Sequence, residues 1–495
     1  MIGDEETEWT QILASITAWE GQVLAAKRRL NELTPAGKLP SEVLSKVFMH
    51  QSAGWYTGAK SWIGVSRVCH RWRETALNYS ALWGQITTHT SEWTRGLLLR
   101  SKQASLDVRI PLHCFSDVEE EDIVLLLREL GRVRSFDWDF HYPLKDLDIS
   151  KVGPLLHSVS LRGYRIPEYT SSLFQPTLTH LKFRLKRRMS EVVGCTMQRV
   201  FDILRTMPHL QSLELSNVLP AADGADFGAD TRTYFPHLRL LDLCAPASAC
   251  HLLGHISFPE GTNVSIDFSD AELDRDGMKQ SMYLLASRIA PAASFEGPVQ
   301  PLQSFYYESS VAEFWAIGLN LDTLLIRWEV HPTKLQGVHR VLAVRAENLL
   351  QDANFFEMIC HYLPLMMLSS ALIDIRHMKD EQWRGACERI PYLRKLGVIG
   401  PPWSHGPVIK SLSTSATASD GSHCSLHRKC RLHAFPKLED GNALLDAYVK
   451  ALRIRSDAGH QLSHLDVVNN LGIYLDAGTV RIVAKEVRYD GCLIS

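Results

Sequence analysis

The chain has 495 residues, enough for a sizeable core, and the length suggests two to four domains. Lys plus Arg number 53 against 55 Asp plus Glu, a net charge of −2, so the basic excess of a generic nucleic-acid or membrane-surface binder is missing. Forty-five per cent hydrophobic residues point to a folded chain rather than a disordered one.

The N-terminus, MIGDEETEW, is acidic, with neither a basic nor an apolar leader region, so no secretory signal is expected. No apolar run reaches the length of a membrane span. The ten cysteines are scattered, mostly beside apolar neighbours. That pattern suits reduced, buried thiols of the cytoplasm or nucleus better than a disulfide framework.

The first element spans residues 5–33. Trp9, Ile12, Ile16, Trp19, Val23, Ala26, Leu30 and Leu33 recur in steps of three and four, a heptad seam. One reading is an amphipathic helix that folds back on its own domain. The other is a coiled coil that joins two chains. Thr34-Pro35-Ala36-Gly37 stops the helix. This N-terminal segment, 1–36, is set off as a separate piece.

Lys38 to Ile86 comes next. Leu39-Pro40 opens a helix, since the missing N–H of proline has no intrahelical partner at a first position, and Glu42 suits the positive helix end. Val43, Leu44, Val47 and Phe48 read as one apolar stripe. Ser61 is placed to cap a second helix with Ile63, Val65, Val68, Cys69, Trp72 and Ala76 along one side. Ser80-Ala81-Leu82-Trp83 reads as a turn into a short third helix. Three helices in about fifty residues lie near the lower limit of independent stability.

The order Leu-Pro-x-Glu-hydrophobic-Leu, Val-Cys-x-x-Trp-Arg, Ala-Leu and Leu-Trp resembles the F-box, which would occupy residues 37–90. The resemblance implies docking on the Skp-type adaptor of a cullin–RING ubiquitin ligase. It assigns Leu39, Pro40, Leu44, Val47, Phe48, Trp72, Leu82 and Trp83 to holding the adaptor or supporting that surface. Two departures stand out: Ser80 where the family often has proline, and a long loop from Gln51 to Lys60. The helix ending near Arg100-Ser101 and the strand from Ser105 to Ile110 resemble the segment C-terminal to the F-box in many fungal F-box proteins.

Beyond residue 110, strand-like pieces with a Leu-x-x-Leu-x-Leu flavour recur. They begin at 133, 156, 178, 210, 238, 263, 321, 338, 393, 462 and 480. MPHLQSLEL, FPHLRLLDL and IPYLRKLGV share a lead-in, and helical patterns lie between. Strand plus helix is the leucine-rich-repeat unit, which needs stacked neighbours to bury its apolar face. Spacing is uneven, and only Asn217 and Asn469 stand near the turn asparagine of such repeats. The expected fold class is therefore α/β: an N-terminal helix, a three-helix F-box, and an irregular leucine-rich-repeat-like solenoid over 91–495. The alternative is a generic α/β domain with several parallel strands.

Pro220–Asp230 and Gly400–Asp420 read as breaks, the latter as a long exposed loop in which Trp403 could anchor a partner. No catalytic signature is present: no nucleophile elbow, no phosphate loop, no dinucleotide fingerprint, no H-E-x-x-H. The acidic run Glu119 to Asp122 reads as a solvated helix start. Cys424, His427, Cys430 and His433 are crowded three apart, unlike a standard zinc spacing, so a basic exposed loop without metal is expected. Lys182, Arg184 and Lys186 share one face of a strand, read as a solvated sheet edge.

The expectation is a non-enzymatic substrate-receptor subunit of a Skp–cullin–F-box ubiquitin ligase. It would have no cofactor, with the adaptor, the cullin complex and an unknown target protein as partners. No nucleic acid and no membrane are expected. The alternatives are an F-box scaffold outside ubiquitin ligation and an enzyme whose site the sequence hides.

Overall fold

A computed structural model describes residues 2–52, 60–88, 90–111, 120–140, 152–163, 172–185, 197–219, 232–245, 252–259, 262–268, 275–289, 304–308, 313–317, 341–345, 354–363, 365, 368, 370–375, 378–390, 393, 395–400, 402–414, 429–434, 441–457, 462–468, 484–489 and 492–493. The chain divides into two compact units. The first comprises residues 1–161 and 167–177, the second 162–166 and 178–495. Among the described residues no helix is long and apolar enough to cross a membrane.

The first unit opens with α1 (Ile2–Leu33), then α2 (Ser41–Ser52), α3 (His70–Asn78) and a 3-10 turn at Ser80–Trp83. It continues through β1 (Gln85–Thr87), α4 (Ser91–Ser101), β2 (Leu106–Ile110), α5 (Glu120–Arg128) and β3 (Val133–Phe140). The helix end falls where Thr34-Pro35 predicts it. Every described side chain from Glu6 to Ala36 is exposed, so α1 does not fold back on the described part of its own unit.

The helix expected to start at Ser61 is divided. Lys60–Arg67 is a 3-10 stretch, and α3 begins only after Cys69, whose extended backbone (φ −156°, ψ 171°) breaks the run. Gly64 and the β-branched Ile63 and Val65 weaken α-helix there.

β1, β2 and β3 pair in parallel, with Ile86, Val108 and Phe136 in register. Alternation buries Leu106, Val108 and Ile110, as a two-residue period requires. The acidic start of α5 is not a solvated face. Asp122 is fully buried and accepts from Arg95 Nε of α4 at 2.5 Å. Packing of α5 on α4 turns this carboxylate inward, where it needs its cation. Arg132 ties the same region together, its guanidinium reaching Glu129 (2.7 Å), the Ser101 hydroxyl (3.2 Å) and the Ala104 carbonyl (2.6 Å).

β4 (Ser158–Gly163) straddles the division between the units. The second unit then alternates strands and helices: β5 (His180–Leu185), α6 (Met197–Arg205), β6 (Ser212–Ser216), β7 (Thr233–Tyr234), β8 (Leu240–Ala245), α7 (Leu252–His255), β9 (Ile256–Ser257), β10 (Asn263–Phe268) and α8 (Arg275–Ile289). β5, β6, β8 and β10 lie side by side in parallel. Leu181, Leu213, Leu241 and Val264 form one buried row, and Phe183, Leu215, Leu243 and Ile266 the next. These are the leucine positions of the recurring sequence pattern. α6 buries Met197, Val200, Phe201 and Leu204, one helical face.

The shared lead-ins also superpose. Gln211 N donates to Thr179 O and Arg239 N to Gln211 O, both at 2.7 Å, while His209 and His237 stack at 5.9 Å. Met207 and Phe235 hold equivalent buried places before them. Asn217, at the end of β6, takes the left-handed backbone (φ 56°) that asparagine tolerates. Its amide donates to Leu185 O of β5 at 3.2 Å, and its N–H donates to Cys244 O of β8 at 2.7 Å, so one residue ties three strands.

The remainder runs through β11 (Ser304–Glu308), β12 (Glu313–Ile317), β13 (Val341–Arg345), α9 (Asn354–Tyr362), β14 (Ser370–Asp374), α10 (Asp380–Arg389), β15 (Lys395–Gly400), α11 (Gly406–Thr414), β16 (Lys429–Ala434), α12 (Gly441–Asp457), β17 (Leu462–Val468), β18 (Ala484–Tyr489) and β19 (Cys492–Leu493). Here the strand order is not the chain order. β13 pairs in parallel with β10, and β12 and β11 return antiparallel before β11 meets β14 in parallel. β14 to β18 then continue in parallel order, and β19 closes antiparallel on β18.

Several readings change. β11, β12 and β14 lack the leucine pattern and were not expected from sequence. The Pro- and Ser-rich stretch after Gly400 is a 3-10 turn (Pro402–His405) followed by α11, not a long loop. Val408 and Leu412, one turn apart, are buried there, and composition masked that pair. His405 Nδ1 meets the Tyr448 hydroxyl of α12 at 2.7 Å, both buried. Pro220–Asp230, the piece at 321–329, Asn469 and the tail of the Ser-rich stretch lie outside the described residues.

Candidate docking surface

Pro40 starts α2 through its carbonyl, which accepts from Val43 N (3.1 Å) and Leu44 N (3.0 Å). The expected single stripe is really two faces. Leu44 and Phe48, four apart, are fully buried. Val43 and Val47, also four apart, are 41 % and 48 % exposed, and Pro40 is exposed one turn before them. Phe48 packs against Trp72 of α3, ring centroids 5.2 Å apart, which fills the inner side, while the outer side is open to solvent.

Leu39 and Pro40 are held by a residue of the polar face of α3. The Arg71 guanidinium donates to the carbonyls of Gly37 and Leu39. Gly37 itself is pressed against the Asn31 backbone so closely that a Cβ has no room. The entry to α2 is thus fixed on both sides of Lys38.

The remaining positions fall into place by burial. Leu39 and Trp72 are half-buried. Leu82 and Trp83 are buried, and Trp83 Nε1 donates to Ala76 O at 2.7 Å while Arg100 of α4 lies over its ring at 5.0 Å. Ser80 is half-buried at the start of its 3-10 turn. Of the eight residues that the F-box resemblance assigns, Leu39, Pro40, Val47 and Trp72 reach the surface, while Leu44, Phe48, Leu82 and Trp83 form the support beneath. Val43 and Val68 (59 % exposed) are apolar surface residues outside that set. For Val43 the signal was there, in its four-residue step to Val47. Of the long loop, residues 53–59 lie outside the described residues.

A second candidate surface is the polar face of β5, β6, β8 and β10. Lys182, Glu214, Asp242 and Ser265 share one register row. Lys182 and Arg184 both reach Glu214, Arg184 at 3.6 Å. The basic patch is therefore paired across strands rather than a solvated sheet edge; Lys186 lies outside the described residues. Burial pushes the Asp242 carboxyl above its ordinary value of 3.8, the Ser265 hydroxyl pulls it back, and neighbouring Glu214 adds to the rise against Arg184 and Lys182. Ionised Asp242 is thus a cost to the folded chain at neutral pH, and the cost shrinks as pH falls through the raised value toward 3.8. Asp242→Asn is expected to unfold at higher temperature than the parent at pH 7, with the gap closing toward pH 4. A parent more stable than the variant at pH 7 would contradict this.

The crowded Cys/His segment is described only in part. Lys429–Ala434 is a strand between β15 and β17, not an exposed loop. Cys430 registers with Leu396 and Leu465, and His433, at a position of opposite parity, with Ile399 and Val468. Cys424 and His427 lie outside the described residues. Among the described residues no group of three or more His, Cys, Asp or Glu is placed to hold a metal ion. Cys360 of α9 is buried, and desolvation pushes its thiol up to about 12, the state of an inert core thiol.

No curated protein matches this chain. Residues 36–89 match the family model described as F-box-like, so the chain carries an F-box-like domain built from α2, α3 and the Ser80–Trp83 turn.

Proposed function

We propose that this chain is a substrate receptor of a Skp–cullin–F-box ubiquitin ligase, working in the cytoplasm or nucleus and performing no catalysis of its own. The observation that carries the reading is the outward apolar side of α2. Pro40, Val43 and Val47 are presented to solvent on a module matching the F-box-like family. Domains of this family generally bind Skp-type adaptors. Leu39, Pro40, Val47 and Trp72 contact the adaptor together with Val43, while Leu44, Phe48, Leu82 and Trp83 keep that surface in shape.

The segment 37–90 is the coupling module, and 91–495 is an irregular leucine-rich-repeat-like solenoid that holds the target protein. The parallel rows from β5 to β10, the superposed lead-ins and the asparagine tying three strands support that repeat reading. The polar row of Lys182, Glu214 and Asp242 offers charged groups for target recognition. Proximity is the whole mechanism: a target held beside the conjugating enzyme reacts as if in an intramolecular step.

Full-length protein bearing an affinity tag is expected to retain both a Skp-type adaptor and a cullin from cell extract. Failure to retain the adaptor overturns the docking role. Adaptor without cullin replaces the ligase reading with that of a scaffold.

A further inference from the structure

We infer that α1 is a dimerisation helix, pairing antiparallel with α1 of a second copy of this chain. The helix carries a full heptad seam and leaves it uncovered: Trp9 is 67 % and Trp19 66 % exposed, with Ile12, Ile16, Val23, Leu30 and Leu33 also open to solvent. Nothing in the described part of its own unit covers this side, and a solvated helix gains nothing from two exposed indoles. The area suffices, because four tryptophans in a pair bring about 150–250 Å² each. With the aliphatic positions added, that clears the roughly 1,000 Å² of a specific interface.

Charge and side-chain size choose the second copy and its direction. In the heptad, Trp9, Ile16, Val23 and Leu30 take the a positions, and Ile12, Trp19, Ala26 and Leu33 the d positions. Aligning two Ile2–Leu33 helices flush and antiparallel sets Trp9 against Ala26 of the second copy, Ile12 against Val23, and Ile16 against Trp19. Each bulky indole thereby meets a smaller partner. Glu5 interrupts the seam at its outer end, so the packed layers run from Trp9 to Ala26.

The same register brings Glu6 beside Lys27 and Glu8 beside Arg29 at both ends. Arg29 now holds Glu32 of its own helix at 2.8 Å, an exposed pair that exchanges at little cost. The parallel in-register arrangement does the opposite. It stacks Trp9 on Trp9 and Trp19 on Trp19, and gathers Glu6 and Glu8 of both chains at one end and Lys27, Arg28 and Arg29 at the other. Like charges so placed disfavour that pairing. In the antiparallel dimer the two F-box-like modules emerge at opposite ends of a rod about 48 Å long, given 1.5 Å per residue.

Sedimentation of the full chain at micromolar concentration tests this. The parent is expected to sediment as a dimer. Ile16→Glu/Val23→Glu should be monomeric with the strand and helix content outside α1 unchanged, since both side chains are exposed in the single chain. Glu6→Lys/Glu8→Lys should weaken the dimer about tenfold by setting Lys against Lys27 and Arg29. Adding Lys27→Glu/Arg29→Glu to that variant should restore it. A monomeric parent, or a dimer that survives Ile16→Glu/Val23→Glu, overturns dimerisation through α1. A dimer indifferent to Glu6→Lys/Glu8→Lys overturns the antiparallel register.

Discussion

Val43→Glu/Val47→Glu is expected to lose retention of a Skp-type adaptor by about 100-fold, roughly 2.8 kcal/mol, while unfolding at the same temperature as the parent. Both valines are nearly half exposed, so a carboxylate at either site stays hydrated in the unbound chain. On docking the same positions pass under a partner. Two apolar contacts of about 1 kcal/mol each are then lost, and two charges are asked to leave water. Immobilised adaptor titrated with parent and variant reads the affinity, and calorimetry reads the fold. Retention within a few-fold of the parent would show that this side of α2 is not the docking surface. Pro40→Ala should act in the same direction but more weakly, because it removes a ring and leaves the helix start in place.

Phe48→Ala and Trp83→Ala should do the reverse: each destabilises the first unit by about 3–5 kcal/mol, and adaptor retention falls only because the module no longer holds together. Phe48 is fully buried against Trp72, and its loss opens a cavity between α2 and α3. Trp83 supplies the hydrogen bond to Ala76 O and lies beneath Arg100, so it joins α3 to α4. A module of this size has little stability to spare. Trp83→Phe separates the terms, since it keeps most of the volume and leaves the Ala76 carbonyl without its indole donor, a cost of about 1 kcal/mol. Hydrogen exchange across residues 70–110 should show local loss of protection in Trp83→Ala. Unaltered protection would mean that this tryptophan is not the joint between the two helices.

The contrast between these two variants marks where sequence reading reaches its limit. Val43, Leu44, Val47 and Phe48 are equally apolar, and periodicity places them together on α2. Which pair packs and which stays open depends on where Trp72 arrives, and Trp72 comes from another helix. The same limit explains Asp122. An acidic helix start ordinarily faces water, and only the packing of α5 on α4 brings Arg95 over it. Lys182 and Arg184 read as a solvated edge until Glu214 of the neighbouring strand stands beside them.

Local patterns with a strict period were legible. The strands at 133, 180, 212, 240 and 263 arise from alternating apolar residues, and α1 and its stop from the heptad and Thr34-Pro35. Strands without that pattern were not: β11, β12 and β14 are specified by their neighbours, as the local reversal of strand order between β10 and β14 illustrates.

By itself, then, the amino-acid order marked a helical segment at 38–86, its F-box-like character and the recurrence of strand and helix after it, because each shows as a local pattern of residue types. Tertiary structure alone decided that Pro40, Val43 and Val47 face solvent while Leu44 and Phe48 do not, and that α1 stays uncovered. Burial is a property of what arrives from elsewhere in the chain, and no local period encodes it.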